Sequence, residues 1–138
     1  MNTILLNLLL FMNPDLLPVT LHVEITNVKA AQGKLMIGIY KPEDKFGEGK
    51  PEISELIEVK SAGIKKTSFQ LEPGKYAFAV FHDVNNNGEL DKNFVGIPKE
   101  PYGFSNDFRP KFSAPSFEDC AFEVSGESEQ RISVKLTN

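Results

Sequence analysis

From residue 20 onward the apolar residues of this chain recur with a period close to two, in short runs broken by turns. Leu21, Val23 and Ile25 alternate with His22 and Glu24, and Leu35, Ile37 and Ile39 alternate with Met36, Gly38 and Tyr40. Successive side chains of a strand point to opposite faces, so such a run buries one face and wets the other. Ile53–Lys60, the triplet Thr67, Phe69 and Leu71, the segment Ala121–Val124 and the triplet Ile132, Val134 and Leu136 continue the pattern. Lys75–Phe81 (KYAFAVF) is apolar on both faces and suits a central strand covered on two sides, with Ala77 and Ala79 leaving room for a large ring. No run after residue 20 carries a helical stripe. Short strands at regular spacing with turns between them predict an all-β fold, an antiparallel β-sandwich of about seven strands with Greek-key connections. His22 is expected on the surface of an edge strand, and Lys41–Pro51 as an exposed polar loop.

One stretch departs from this rhythm. Asp83 to Asp119 has no clear strand, which is long for a connection in a single domain. It is too aromatic to be disordered. Of the chain's 11 Phe, five (Phe94, Phe104, Phe108, Phe112 and Phe117) fall in it, with Tyr102 and four of the nine Pro. The expectation is an ordered loop folded back on the sandwich. Two roles stand open: rings such as Phe94, Tyr102, Phe104 and Phe108 presented to a protein, peptide or glycan partner, or a lid completing the core.

The loop opens with Asp83-Val84-Asn85-Asn86-Asn87-Gly88-Glu89-Leu90-Asp91. Oxygen side chains at positions 1, 3 and 5 with Gly at 6 form the first half of an EF-hand-type calcium loop, with the Glu89 carbonyl and Asp91 at positions 7 and 9. Phe94 stands where the bidentate Glu belongs, so another acid must close the shell, with Glu118 or Asp119 at the far end of the loop as candidates. The competing reading is a turn: Asn and Asp bond their own backbone, and Asn87-Gly88 is a type I′ signal.

Chemistry beyond this is sparse. His82 beside Asp83 and Asp91 allows a metal-dependent hydrolase as the alternative function. Cys120 follows Asp119, and the acid raises the thiol pKa. No GxSxG, HExxH or phosphate-binding glycine loop is present. A net charge of −4 argues against a nucleic-acid partner. Ile4–Met12 is apolar except for Asn7, too short to span a membrane and of a length that fits an export signal. It has no preceding Lys or Arg and no small-x-small cleavage site, so a packed chain start is the alternative. Residues 1–18 are set apart on this ground, and 19–138 form one domain.

The segment FHDVNNNGELDKNFVGIPKEPYGFSND, followed by SFEDCAF and preceded by GKYAFAVFHD and GKLMIGIY, resembles the bacterial domain-of-unknown-function family 2141 over about residues 20–137. The resemblance implies an immunoglobulin-like or transthyretin-like sandwich in a small periplasmic, envelope or secreted protein. It carries no activity and no catalytic residue. The leading expectation is therefore a non-enzymatic binding or accessory module with a candidate calcium loop, ahead of the hydrolase and of a purely structural interaction domain.

Overall fold

In the computed structural model, which describes residues 17–138, eight strands form two sheets packed face to face. Residues 1–16, with the apolar run Ile4–Met12, lie outside the described residues. The first sheet has three strands in the order β4 (Gly63–Leu71), β1 (Val19–Val28), β8 (Glu129–Lys135). The second runs β3 (Ile53–Glu58), β2 (Lys34–Tyr40), β5 (Gly74–Asp83). Two short strands then share the free edge of β5 end to end: β6 (Tyr102–Phe104) against residues 79–81 and β7 (Ala121–Val124) against residues 74–77.

The sandwich follows the expectation with three corrections. There are eight strands, because Tyr102–Phe104, inside the stretch read as strandless, pairs with β5. Three residues are too few to display a period. The pair β1–β8 is parallel, although every other strand pairing is antiparallel. β1 is also the centre of its sheet, not an edge, and His22 is one-third exposed on its outer face beside Glu129.

The alternation sets the core. Leu21, Val23 and Ile25 of β1 face Leu35, Ile37 and Ile39 of β2 and Tyr76, Phe78 and Val80 of β5 in one buried cluster, closed by Val124, Val134 and Leu136. Burial of each large apolar side chain stabilises by roughly 1.5–3 kcal/mol, which makes this layer the main stabilising element.

Part of the outer face of the second sheet is covered too, whereas Leu56 on β3 stays exposed. Gly38, Ala79 and Phe104 lie in one row across β2, β5 and β6. Phe46 reaches over from the Lys41–Pro51 loop, with ring centroids 5.1 Å from Tyr40, 5.9 Å from Phe104 and 6.3 Å from Phe117. That loop is mostly exposed, as expected, but one ring ties it down. Gly38 is needed beneath it: a Cβ there would lie 2.9 Å from Cγ of Pro51. Burial under this layer raises the pKa of Tyr40, with Asp44 adding to the shift.

Candidate functional site

β5 delivers His82 and Asp83 at its C-terminal end, and both are fully buried. The Asp83 carboxylate accepts hydrogen bonds from the backbone amides of Asn87 (3.2 Å) and Gly88 (2.8 Å), folding the following loop back on its own start. The Lys34 ammonium lies 3.9 Å away. Asn86 and Gly88 take left-handed φ of 57° and 80°, whereas Asn87 does not, so the Asn87-Gly88 pair is not the expected type I′ turn. The neighbouring β1–β2 turn approaches so closely that a Cβ on Gly33 would lie 2.1 Å from the Asp83 carbonyl oxygen.

Asp91 closes the loop from the other side. Its two carboxylate oxygens accept from the side-chain amides of Asn85 (2.6 Å) and Asn87 (2.8 Å). These bonds, that of Asn87 first, hold the Asp91 carboxyl below the usual carboxylate range. The Asn85 and Asn87 side-chain oxygens accept in turn from the amides of Asn87 and Glu89. The structure thus brings Asp83, Asn85, Asn87 and Asp91 into one hydrogen-bonded knot, with the Glu89 side chain exposed on its rim. Among the described residues no three His, Cys, Asp or Glu side chains are grouped as a metal cluster.

Glu100 was not anticipated. It is 6% exposed, and its carboxylate accepts from the amides of Val84 (2.7 Å) and Asp91 (3.0 Å), clamping both ends of the loop. Nothing in its position between Lys99 and Pro101 signals this role; only the return of the chain to β5 reveals it. The acids expected to close a cation shell are elsewhere. Glu118 pairs with Lys75 at 2.7 Å, and Asp119 exchanges capping bonds with Ser116 at the start of α1 (Phe117–Cys120).

Beyond Asp91 the chain makes a small hairpin. The Lys99 amide donates to the Asp91 carbonyl (2.7 Å), Lys92 bridges to Pro98, and the Asn93 amide donates to the Ile97 carbonyl (2.9 Å). The Asn93 side-chain oxygen accepts from the Val95 and Ile97 amides, both at 3.0 Å. At the tip Phe94 is 101% exposed, Val95 63% and Ile97 60%. The other rings singled out from the sequence are half-buried: Tyr102 and Phe104 pack together at 5.8 Å, and Phe108 follows them. Of the four, Phe94 alone is presented outright.

The geometry removes the basis of the hydrolase alternative. The His82 ring faces inward, with Nε2 2.6 Å from the Gln32 carbonyl, and reaches no open cleft with Asp83 or Asp91. Cys120 is buried, and its thiol is pushed up to about 12, by burial first and Asp119 second. Its high pKa therefore comes mainly from the sandwich and only secondarily from the adjacent acid. Among the described residues no helix is long and apolar enough to cross a membrane.

No curated protein and no solved structure matches the chain. Residues 23–133, from β1 through the whole knot and hairpin into β8, match the family described as an uncharacterized protein conserved in bacteria, DUF2141. The chain belongs to that family.

Proposed function

We propose that this protein is a non-catalytic binding module of the bacterial cell envelope whose binding end is the loop 84–101, braced by calcium at the Asp83–Asp91 knot. The observation that carries the reading is the contrast within that loop. Two buried carboxylates, Asp83 and Glu100, hold four of its backbone amides, and on this fixed base a fully exposed Phe94 is lifted off the sandwich. Loops positioned by a rigid scaffold in this way commonly carry recognition. The apolar Ile4–Met12 supports export.

Calcium fits the knot by its donor chemistry. Hard cations take carboxylate, amide and carbonyl oxygens, and the loop supplies all three. The Asn85 and Asn87 side-chain oxygens, the Asp91 carboxylate and the Glu89 carbonyl would supply ligands, and binding would replace the amide bonds that now close the knot on Asp91. Each Asp83 oxygen keeps a second lone pair after accepting one amide.

Calorimetric titration of chelator-treated protein with calcium, paired with a thermal melt, tests the cation. A ligand that binds only the folded state raises stability by about 2.7 kcal/mol at one hundred times its dissociation constant. A Tm that millimolar calcium leaves unmoved overturns this part of the reading.

A further inference from the structure

The hairpin tip has a shape and a charge pattern that select one kind of partner. It projects: Phe94 at the turn is fully exposed, and Val95 and Ile97 beside it are more than half exposed. The tip therefore enters a partner and does not receive one. Its three apolar side chains, Phe94, Val95 and Ile97, are all on the outside, and Asn93 holds the backbone beneath them in one conformation. Below them stand two exposed lysines, Lys92 one rung down opposite Pro98 and Lys99 one rung further opposite Asp91. Residues 92–99 contain these two lysines and no acid.

We propose that this tip inserts Phe94, Val95 and Ile97 into the interface of an anionic lipid bilayer, with Lys92 and Lys99 at the level of the lipid phosphates. The proposal rests on the reading of loop 84–101 as the binding end and names its partner. The dimensions agree. Two strand residues separate the Asp91–Lys99 rung from the Asn93–Ile97 rung, about 7 Å at about 3.3 Å each. The turn with Phe94 and Val95 lies beyond, which suits apolar groups seated about 5–10 Å deep in the interface. A lysine stem lies along apolar surface while its ammonium stays in the headgroups, which is what a cation one or two rungs below the tip does. A protein pocket accepts the same apolar side chains but has no need of a pair of cations beneath them. Glu89 and Asp91 oppose an anionic surface, so calcium in the knot strengthens binding by cancelling their charge.

The test uses the full chain with phosphatidylcholine vesicles made with and without phosphatidylglycerol, each in millimolar calcium and in chelator. The protein has no Trp, so Phe94→Trp is a clean reporter. The expected result is a blue shift of its emission with the anionic vesicles only. Co-sedimentation of the unmodified chain with those vesicles is expected to weaken at least about tenfold in the Phe94→Ser, Ile97→Ser double variant and about fivefold for each of Lys92→Gln and Lys99→Gln. All variants keep the same N-terminal segment, so any binding through Ile4–Met12 is common to them. Unchanged Trp emission, or equal sedimentation of the unmodified chain and the double variant, overturns the proposal and leaves the tip to a protein pocket. A calcium titration without vesicles separates the two readings. Calcium heat with no vesicle binding sinks this proposal alone, and vesicle binding with no calcium heat sinks only the cation reading.

Discussion

The two halves of the connection between β5 and β7 are built from similar residues and end in opposite states. Val84–Pro101 is anchored to the sandwich at its two ends, where the Pro101 carbonyl accepts from the His82 amide and Val84 lies against Gly33, and it carries Phe94, Val95 and Ile97 outward between them. Tyr102–Cys120 runs down the edge of β5 with most of its rings inward. The difference lies in what each half offers the backbone. In the first, Asp83, Glu100 and Asn93 absorb the amides of a chain that has no strand partner. In the second, β6 and β7 pair with β5, and Ser105 joins them by accepting from the Phe78 amide and donating to the Cys120 carbonyl. A ring near a paired strand is drawn onto the sheet, as Phe104 is onto Phe46; a ring on a self-satisfied hairpin has no surface to fall on. Phe112 is the exception in the second half, fully exposed on the Phe108–Ser116 excursion where no strand runs.

The largest effect on this comparison comes from the layer both halves hang from. Phe78→Ala removes a fully buried ring between the sheets and is expected to cost about 3–5 kcal/mol in chemical denaturation. The knot and the aromatic edge should melt together with the core in that variant. A knot that stays ordered while the sandwich unfolds breaks the view that β5 positions both halves.

Glu100→Gln comes next and acts on the first half alone. The neutral amide can accept at one site but points donors at the other, leaving the Val84 or Asp91 amide without an acceptor. The expected loss is about 2 kcal/mol, seen as faster hydrogen exchange at Val84 and Asp91 and easier proteolysis between residues 84 and 101, with the β7 amides unaffected. Equal protection in the variant and the parent denies Glu100 its clamping role.

A matched pair of ring deletions compares the halves directly. Phe104→Ala opens the contacts with Phe46 and Tyr102 and is expected to cost about 1–3 kcal/mol, at or below the low end for ring removal because the site is only half-buried. Phe94→Ala removes nothing that packs and should change stability by less than about 0.5 kcal/mol. Similar losses for the two would mean that Phe94 is covered by a contact the hairpin geometry does not provide.

These contrasts also explain what was legible in the sequence. The sandwich was, because burial of one strand face writes a period of two into Leu21–Ile25 and Leu35–Ile39. Asp83, Asn85, Asn87 and Asp91 were legible as one unit because turn chemistry acts between residues close in sequence. Glu100 was not, since its partners Val84 and Asp91 lie 16 and 9 positions away and a clamp of that kind depends on where the hairpin returns. Phe46 was hidden for the same reason: a single ring in a polar loop has no period, and its partners come from β2, β6 and α1. The parallel β1–β8 pair joins the two ends of the domain and leaves no local trace at all.

The smallest effect concerns protonation of the knot. Asn87 first and Asn85 second stabilise the charged Asp91, so its folded pKa lies below its unfolded one. A carboxyl depressed in this way contributes order above its unfolded pKa and loses that contribution as pH falls through the lower folded value. Because Asp91 stands near solvent, the effect is confined to the loop: side-chain carboxyl shifts followed by NMR should place Asp91 below the other exposed acids, while the core amides stay protected through its titration. Asn87→Ala should return Asp91 toward the usual range further than Asn85→Ala does, since the Asn87 bond is the larger cause. Titration of Asp91 in the ordinary carboxylate range, indifferent to both variants, would mean that the knot is not closed by these amides in solution. The rigid base on which the hairpin tip depends would then rest on Asp83 and Glu100 alone.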